Sequence, residues 1–148
     1  MFMFLILFSS KNNSTKKIAE KISEKLIHKN VIKNVNDLKD TSLYAHYKYI
    51  FLCSPTYGSE ELHIDMESFI VKNKNFFNNK RLCLIETGNF YGYENFSFGA
   101  GLNMYNFFIK IPCMFFYKNL SLDTFPKTDY FTLNRWLNGL NVFLENHA

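Results

Sequence analysis

The chain has 148 residues, 47% of them apolar and 18% aromatic, with 17 Phe and a net charge of +4. That length suits one domain with a full core, and a composition this rich in apolar and aromatic side chains excludes intrinsic disorder. The mild basic excess is spread along the chain beside many asparagines; without an aromatic/basic RNA-binding motif or zinc-ligand spacing, it describes a solvated surface and not a nucleic-acid interface.

Cys53, Cys83 and Cys113 are odd in number, far apart and not part of any CxxC. Each lies in an apolar segment, where free cysteine behaves as a small hydrophobe, so a reduced, cytoplasmic protein is expected. The opening MFMFLILF lacks the basic region and small-residue cleavage site of a signal peptide. Its eight apolar residues are too few to cross a bilayer, so no membrane association is expected.

The run Met1 to Phe8 reads instead as a strand buried on both faces of a parallel sheet. Ile18, Ile22 and Leu26 then recur every four residues with Ala19 beside them, which predicts a helix from Ser14, with Asn13 or Ser14 as its cap. Val31 to Val35 is a short second strand, and the link to about Lys48 shows no clear helix. Tyr49 to Cys53 is a third strand, ending in SPTYGSEE, a turn by composition. A helix is predicted over Ile64 to Lys72 and a fourth strand over Arg81 to Ile85. A buried aromatic helix should cover Phe96 to Ile109, followed by a fifth strand from Cys113 to Tyr117. Pro126 suits the first turn of a last helix, whose apolar stripe is Leu133, Leu137, Leu140 and Phe143.

Strands and helices alternate, and the cysteines recur every 30 residues, one per strand, close to the length of one βα unit. The fold class expected is α/β, a three-layer, doubly wound parallel sheet of five strands with helices on both faces. In such sheets ligands bind beyond the C-terminal strand ends, where the strand order switches. With order 2-1-3-4-5, the loops Ser9–Thr15, Ser54–Leu62 and Thr87–Phe96 converge on one edge.

The first of these loops, Ser9-Ser10-Lys11-Asn12-Asn13-Ser14-Thr15, offers hydroxyls, amides and a lysine at a helix N-terminus, which favours an anion. It is neither a P-loop nor GxGxxG, and taken alone it reads more readily as a polar turn. The other two carry aromatics beside glycine: Tyr57-Gly58, and Gly88 with Phe90, Tyr91, Gly92, Tyr93 and Phe96. Each aromatic could pack on the protein itself. Together, two aromatic loops flanking a phosphate loop suit a flat heteroaromatic ring with a phosphate tail.

Nearly the whole chain resembles the short-chain flavodoxin family, and the fold expected is flavodoxin-like. The family's first loop commonly reads Ser/Thr-x-Thr-Gly-x-Thr; here Ser10 to Thr15 places Asn13 where glycine is usual. Ser54-Pro55-Thr56-Tyr57-Gly58 is similar to the family's second loop. Gly88 to Ser97 resembles its GDxxxYxxFC loop, with Asn89 for the usual acid and Ser97 for the usual cysteine. The closing SLDTFPKTDYFTLNRWL is similar to the family's last strand and helix.

By that resemblance the cofactor is FMN. Ser10 to Thr15 would hold its phosphate, and Tyr57 and Tyr93 would sandwich the ring, with Tyr91 or Phe90 as alternatives to Tyr93. Gly58 would be the peptide that turns to accept a hydrogen bond from the protonated ring nitrogen N5. Thr56, Thr87, Gly88 and Asn89 would offer backbone contacts. An aromatic slot, together with Glu60, Glu61, Asp65 and Glu94, would disfavour an anionic reduced ring; those acids are equally readable as a solvated helix start.

The resemblance implies a low-potential one-electron carrier, not an enzyme. It would be a monomer with no catalytic residues or metal of its own, passing electrons between a reductase and an acceptor enzyme. The spacing within Gly88 to Ser97 is also similar to the GNxxxGENxC loop of the flavoprotein that activates the manganese-dependent class Ib ribonucleotide reductase, though Tyr93 stands where that loop has glycine. A third alternative is a cofactor-free binding module of the same fold, suggested by Asn13. Because asparagine tolerates positive φ better than most residues, Asn13 is expected to take left-handed backbone geometry, and Lys11 to add a charge most flavodoxin loops lack.

Overall fold

The computed structural model describes residues 3–10, 13–57, 61–88, 99–124 and 127–147. The first strand, β1 (Met3–Phe8), is followed by α1 (Ser14–Lys25), β2 (Lys29–Asn34) and two 3-10 turns at Val35–Asp37 and Thr41–Tyr44. Next come β3 (Tyr49–Tyr57), the two-residue β4 (Glu61–Leu62), α2 (Ile64–Lys72) and β5 (Arg81–Gly88). The described chain closes with α3 (Gly99–Phe108), β6 (Met114–Phe115), β7 (Leu120–Asp123) and α4 (Tyr130–Asn146).

The sheet is parallel in the order β2-β1-β3-β5, with β6 and β7 both paired to the outer edge of β5. Counted by position, this is the 2-1-3-4-5 order expected, with the fifth position shared by β6 and β7. The one antiparallel addition is β4, which pairs Thr56 with Leu62 and Tyr57 with Glu61.

Successive side chains of a strand face opposite ways, and the buried runs feed two cores. Phe4, Ile6, Phe8, Phe51, Cys53, Cys83 and Ile85 face one way, against Ile18, Ala19 and Ile22 of α1 and Leu133, Trp136, Leu137, Leu140 and Leu144 of α4. Leu5, Leu7, Ile50, Leu52, Leu82 and Leu84 face the other, against Met66, Phe69 and Ile70 of α2 and Ala100, Met104 and Phe108 of α3. Three layers follow from this two-residue alternation.

Several boundaries differ from expectation: β2 is Lys29–Asn34 in place of Val31 to Val35, and α3 ends at Phe108, one residue before Ile109. β3 runs on through Tyr57, because β5 accompanies it as far as Pro55↔Thr87 and β4 pairs with its last two residues. β5 likewise runs on to Gly88, because β7 pairs with it from Ile85↔Leu120 to Gly88↔Asp123. The fifth strand expected at Cys113 to Tyr117 is limited to Met114–Phe115, and Cys113 precedes it. The ladder then breaks, and the Asn119 amide oxygen accepts from the Leu84 N–H at 2.9 Å in place of a strand carbonyl, before pairing resumes at Leu120. Finally, α4 begins at Tyr130 and not at Pro126, which lies outside the described residues.

Asp129 caps α4, its carboxylate accepting from the Thr132 N–H at 3.1 Å and the Thr132 hydroxyl at 2.6 Å. The hydroxyl bond foremost, with the Thr132 backbone bond after it, holds the Asp129 carboxyl below its ordinary pKa. A lowered folded pKa gives stability that is present above the ordinary carboxylate range and lost as pH falls through the folded value. Asp129→Ala is therefore expected to cost about 1 kcal/mol at pH 7, with the difference from the parent narrowing in urea melts run at progressively more acidic pH.

Candidate functional site

The C-terminal ends of β1, β3 and β5 lie side by side, and the in-register pairs Phe8↔Cys53 and Pro55↔Thr87 mark that edge. The buried run of β1 ends at Ser9, whose N–H continues the ladder to the Cys53 carbonyl at 3.1 Å. The hydroxyl oxygens of Ser9 and Ser10 are both buried, and neither has a hydrogen-bond partner among the described residues. Buried hydroxyls normally find partners, so this pair is an unusual donor set.

Asn13 stands next to it at φ 67° and ψ −6°, in the left-handed region expected, as the residue that opens α1. Its carbonyl accepts from the Lys17 N–H at 3.0 Å, while its side chain makes no capping bond. The first turn of α1 contains no acid. The positive end of the α1 dipole is thus presented beside two buried hydroxyls with no acid in its own first turn, a setting that suits a phosphate.

Thr15 ties this corner to the rest of the edge. Its buried hydroxyl shares a 2.9 Å hydrogen bond with that of Thr87 at the end of β5. Ser54 is fully buried, and its hydroxyl donates to the Pro55 carbonyl at 3.1 Å. The Thr56 hydroxyl accepts from the Ala100 N–H at 3.1 Å, which joins the end of β3 to the start of α3. Thus Ser9, Ser10, Asn13, Ser14, Thr15, Ser54, Pro55, Thr56, Tyr57, Thr87 and Gly88 are all gathered at one sheet edge. Lys11, Asn12, Gly58, Asn89, Tyr91, Gly92, Tyr93 and Phe96 lie outside the described residues, as do Glu60, Phe90, Glu94 and Ser97.

One member of the site was missed by sequence reasoning. Glu86 is only 1% exposed, and its carboxylate accepts from the Gly101 N–H at 2.6 Å, the Ser121 hydroxyl at 2.5 Å and the Thr56 hydroxyl at 3.5 Å. Burial pushes its carboxyl above the ordinary pKa, and the bonds from Ser121, Gly101 and Thr56 pull partly back. The available signal was an acid inside the otherwise buried run RLCLIETG. The cysteines contribute no chemistry here: burial drives the Cys53 thiol up to about 12 and Cys83 well above its ordinary value, so both stay protonated. No cluster of metal-ligating side chains occurs among the described residues, and no helix among them is long and apolar enough to cross a membrane.

A doubly wound sheet in this order, with a helix N-terminus and hydroxyl donors at its switch point, is the architecture of a nucleotide-type ligand site. A family model described as a flavodoxin domain matches residues 5–89. The chain belongs to the flavodoxin domain family.

Solved structures agree on the fold. Oxidised Flavodoxin 2 from Bacillus cereus is 23% identical with a TM-score of 0.78, over 97% of this chain and 99% of that one. The Streptococcus pneumonia TIGR4 flavodoxin is 18% identical with a TM-score of 0.78, over 99% of each chain. A Fusobacterium nucleatum flavodoxin bound to flavin mononucleotide is 16% identical with a TM-score of 0.73, again over 99% of each. No match was found among curated protein sequences.

Proposed function

We propose that this chain, folding as a single domain, binds FMN at the β1/β3/β5 edge and works as a low-potential one-electron carrier in the cytoplasm. The observation that carries the reading is the pair of buried hydroxyls of Ser9 and Ser10, without a partner among the described residues, beside the N-terminus of α1. Those donors fit a phosphate monoester, and the left-handed Asn13 keeps the backbone path that glycine allows in the family's loop. That geometry favours a cofactor-binding protein over a cofactor-free module.

Bound FMN would supply reversible one-electron transfer. The rest falls to the chain. The amides and hydroxyls of the Ser9–Thr15 loop hold the phosphate, and the Thr15–Thr87 bond holds that loop against β5. By the family resemblance, the backbones of Thr56, Thr87, Gly88 and Asn89 would orient the ring, and Gly58 would supply the adaptable peptide. By the same resemblance, Tyr57, Tyr91, Gly92, Tyr93 and Phe96 would cover the ring and keep water out. The partners are a reductase and an acceptor enzyme that meet a monomer at this edge.

Titration of the purified protein with FMN tests the reading. Quenching of flavin fluorescence with a shifted visible spectrum is expected, with weaker binding of riboflavin. Stepwise reduction is expected to proceed in two separate one-electron stages. A colourless protein that leaves added FMN unperturbed would overturn the proposal.

A further inference from the structure

Glu86 has no place in the phosphate cradle or in the aromatic cover, yet it is the most deeply buried charged side chain described at the site. Its three donors come from three separate elements: Thr56 at the end of β3, Gly101 in the first turn of α3 and Ser121 on β7. Thr56 and α3 are joined a second time by the bond from the Ala100 N–H to the Thr56 hydroxyl. Glu86 immediately precedes Thr87, whose own hydroxyl faces the other way, to Thr15 on α1. One carboxylate therefore gathers the end of β3 that leads into the second loop, the first turn of α3 beyond the third and the outer strand, one residue from the first loop's anchor.

The hydrogen-bond geometry suits an ionised carboxylate. The Gly101 N–H can only donate. The Thr56 hydroxyl already accepts from Ala100, which leaves its proton for Glu86, and the Ser121 hydroxyl is free to rotate toward Oε1. A donor on every side is what a carboxylate requires. Burial works against that charge and makes it unfavourable for the fold at neutral pH, since a raised folded pKa means stability lost as pH climbs past the ordinary carboxylate range. A charge kept in place against such a bias calls for a reason beyond stability.

We propose that Glu86 is a positioning residue that ties the end of β3 and the first turn of α3 to β5 at the cofactor edge and, through its buried charge, lowers the reduction potential of the ring. This rests on the FMN reading given above. Glu86 exchanges neither an electron nor a proton in this role; it disfavours added negative charge on the neighbouring ring, and low-dielectric surroundings strengthen the effect.

Two substitutions separate the clamp from the charge. In Glu86→Gln the remaining carbonyl oxygen still accepts from Gly101 and Thr56, and the new amide donates to the Ser121 oxygen, so geometry is kept and charge is lost. Glu86→Asp keeps the charge and withdraws it from its donors. Affinities for oxidised and reduced FMN, the midpoint potential and the melting temperature of the flavin-free protein are measured for parent and variants.

Glu86→Gln is expected to bind oxidised FMN as the parent does, to within about twofold, and to melt at the same or a higher temperature. It should bind fully reduced FMN on the order of tenfold more tightly, which raises the two-electron midpoint potential by about 30 mV. Glu86→Asp is expected to lose affinity for both oxidation states alike and to leave the potential unchanged. An unchanged potential in Glu86→Gln overturns the proposal. Should that variant not fold, parent-like FMN affinity in Glu86→Asp overturns it instead. A parent protein that ignores FMN overturns both this proposal and the flavin reading, whereas a parent that binds it beside indifferent variants overturns this one alone.

Discussion

Phe51→Ala is expected to lower the free energy of unfolding by about 3–5 kcal/mol, the largest effect foreseen for any single substitution outside the site. Phe51 is fully buried on β3, between β1 and β5 at the centre of the sheet. Its ring meets Phe116 edge-on at 5.4 Å and Trp136 at 6.2 Å, and lies 5.6 Å from Phe4. Phe4 is held by its strand and Trp136 by α4, with the Trp136 indole N–H also bonded to the Lys118 carbonyl at 3.0 Å. Neighbours fixed in this way cannot close over a missing ring, so the cavity cost adds to the lost transfer free energy. Phe131, 72% exposed on α4, is the contrast: Phe131→Ala should fall within about 0.5 kcal/mol of the parent. Guanidinium melts check both, through a displaced midpoint with an unchanged slope for Phe51→Ala.

The double variant Ser9→Ala with Ser10→Ala is expected to weaken FMN binding by roughly tenfold to a hundredfold, the range for losing hydrogen bonds to a charged group. Riboflavin, which lacks the phosphate, should bind parent and variant equally. The flavin-free variant should melt at the same or a higher temperature, because the two buried hydroxyls have no partner among the described residues and burying an unpaired polar group costs stability. Fluorescence titrations with the two flavins, beside thermal melts, read all three outcomes. Equal losses for FMN and riboflavin would place the phosphate elsewhere.

The α/β architecture and its strand order were legible because period and burial write themselves into residue choice. Phe4 to Phe8 must be apolar throughout, since alternate side chains enter the α1/α4 core and the α2/α3 core. The four-residue recurrence of Ile18 and Ile22 could only put one face of a helix on that sheet. The predicted bounds of α2, Ile64 to Lys72, match those observed. Asn13 was legible as well: a polar residue opening a helix where the family uses glycine narrows to left-handed backbone, which its φ of 67° satisfies.

Other features depend on residues far apart in the chain. The extension of β5 to Gly88 needs β7, more than thirty positions later by number, to lie alongside it. The break after β6 works because Asn119 stands in for a strand carbonyl at Leu84, and no local pattern marks an asparagine for that task. That the Thr15 hydroxyl meets Thr87, seventy-two positions away, is likewise set only by the fold.

Glu86 shows the division most sharply. As a letter in RLCLIETG it is an acid in the wrong company. Only the tertiary structure brings Thr56, Gly101 and Ser121 around it and makes a buried carboxylate tolerable. The sequence by itself determined the elements, the layers and the edge where a ligand belongs, because these follow from short-range periodicity and the hydrophobic effect. Tertiary structure decided which polar groups at that edge satisfy one another and which are left for a ligand. A hydrogen bond is short and directional, and its partners are chosen by the fold and not by neighbouring residues in the chain.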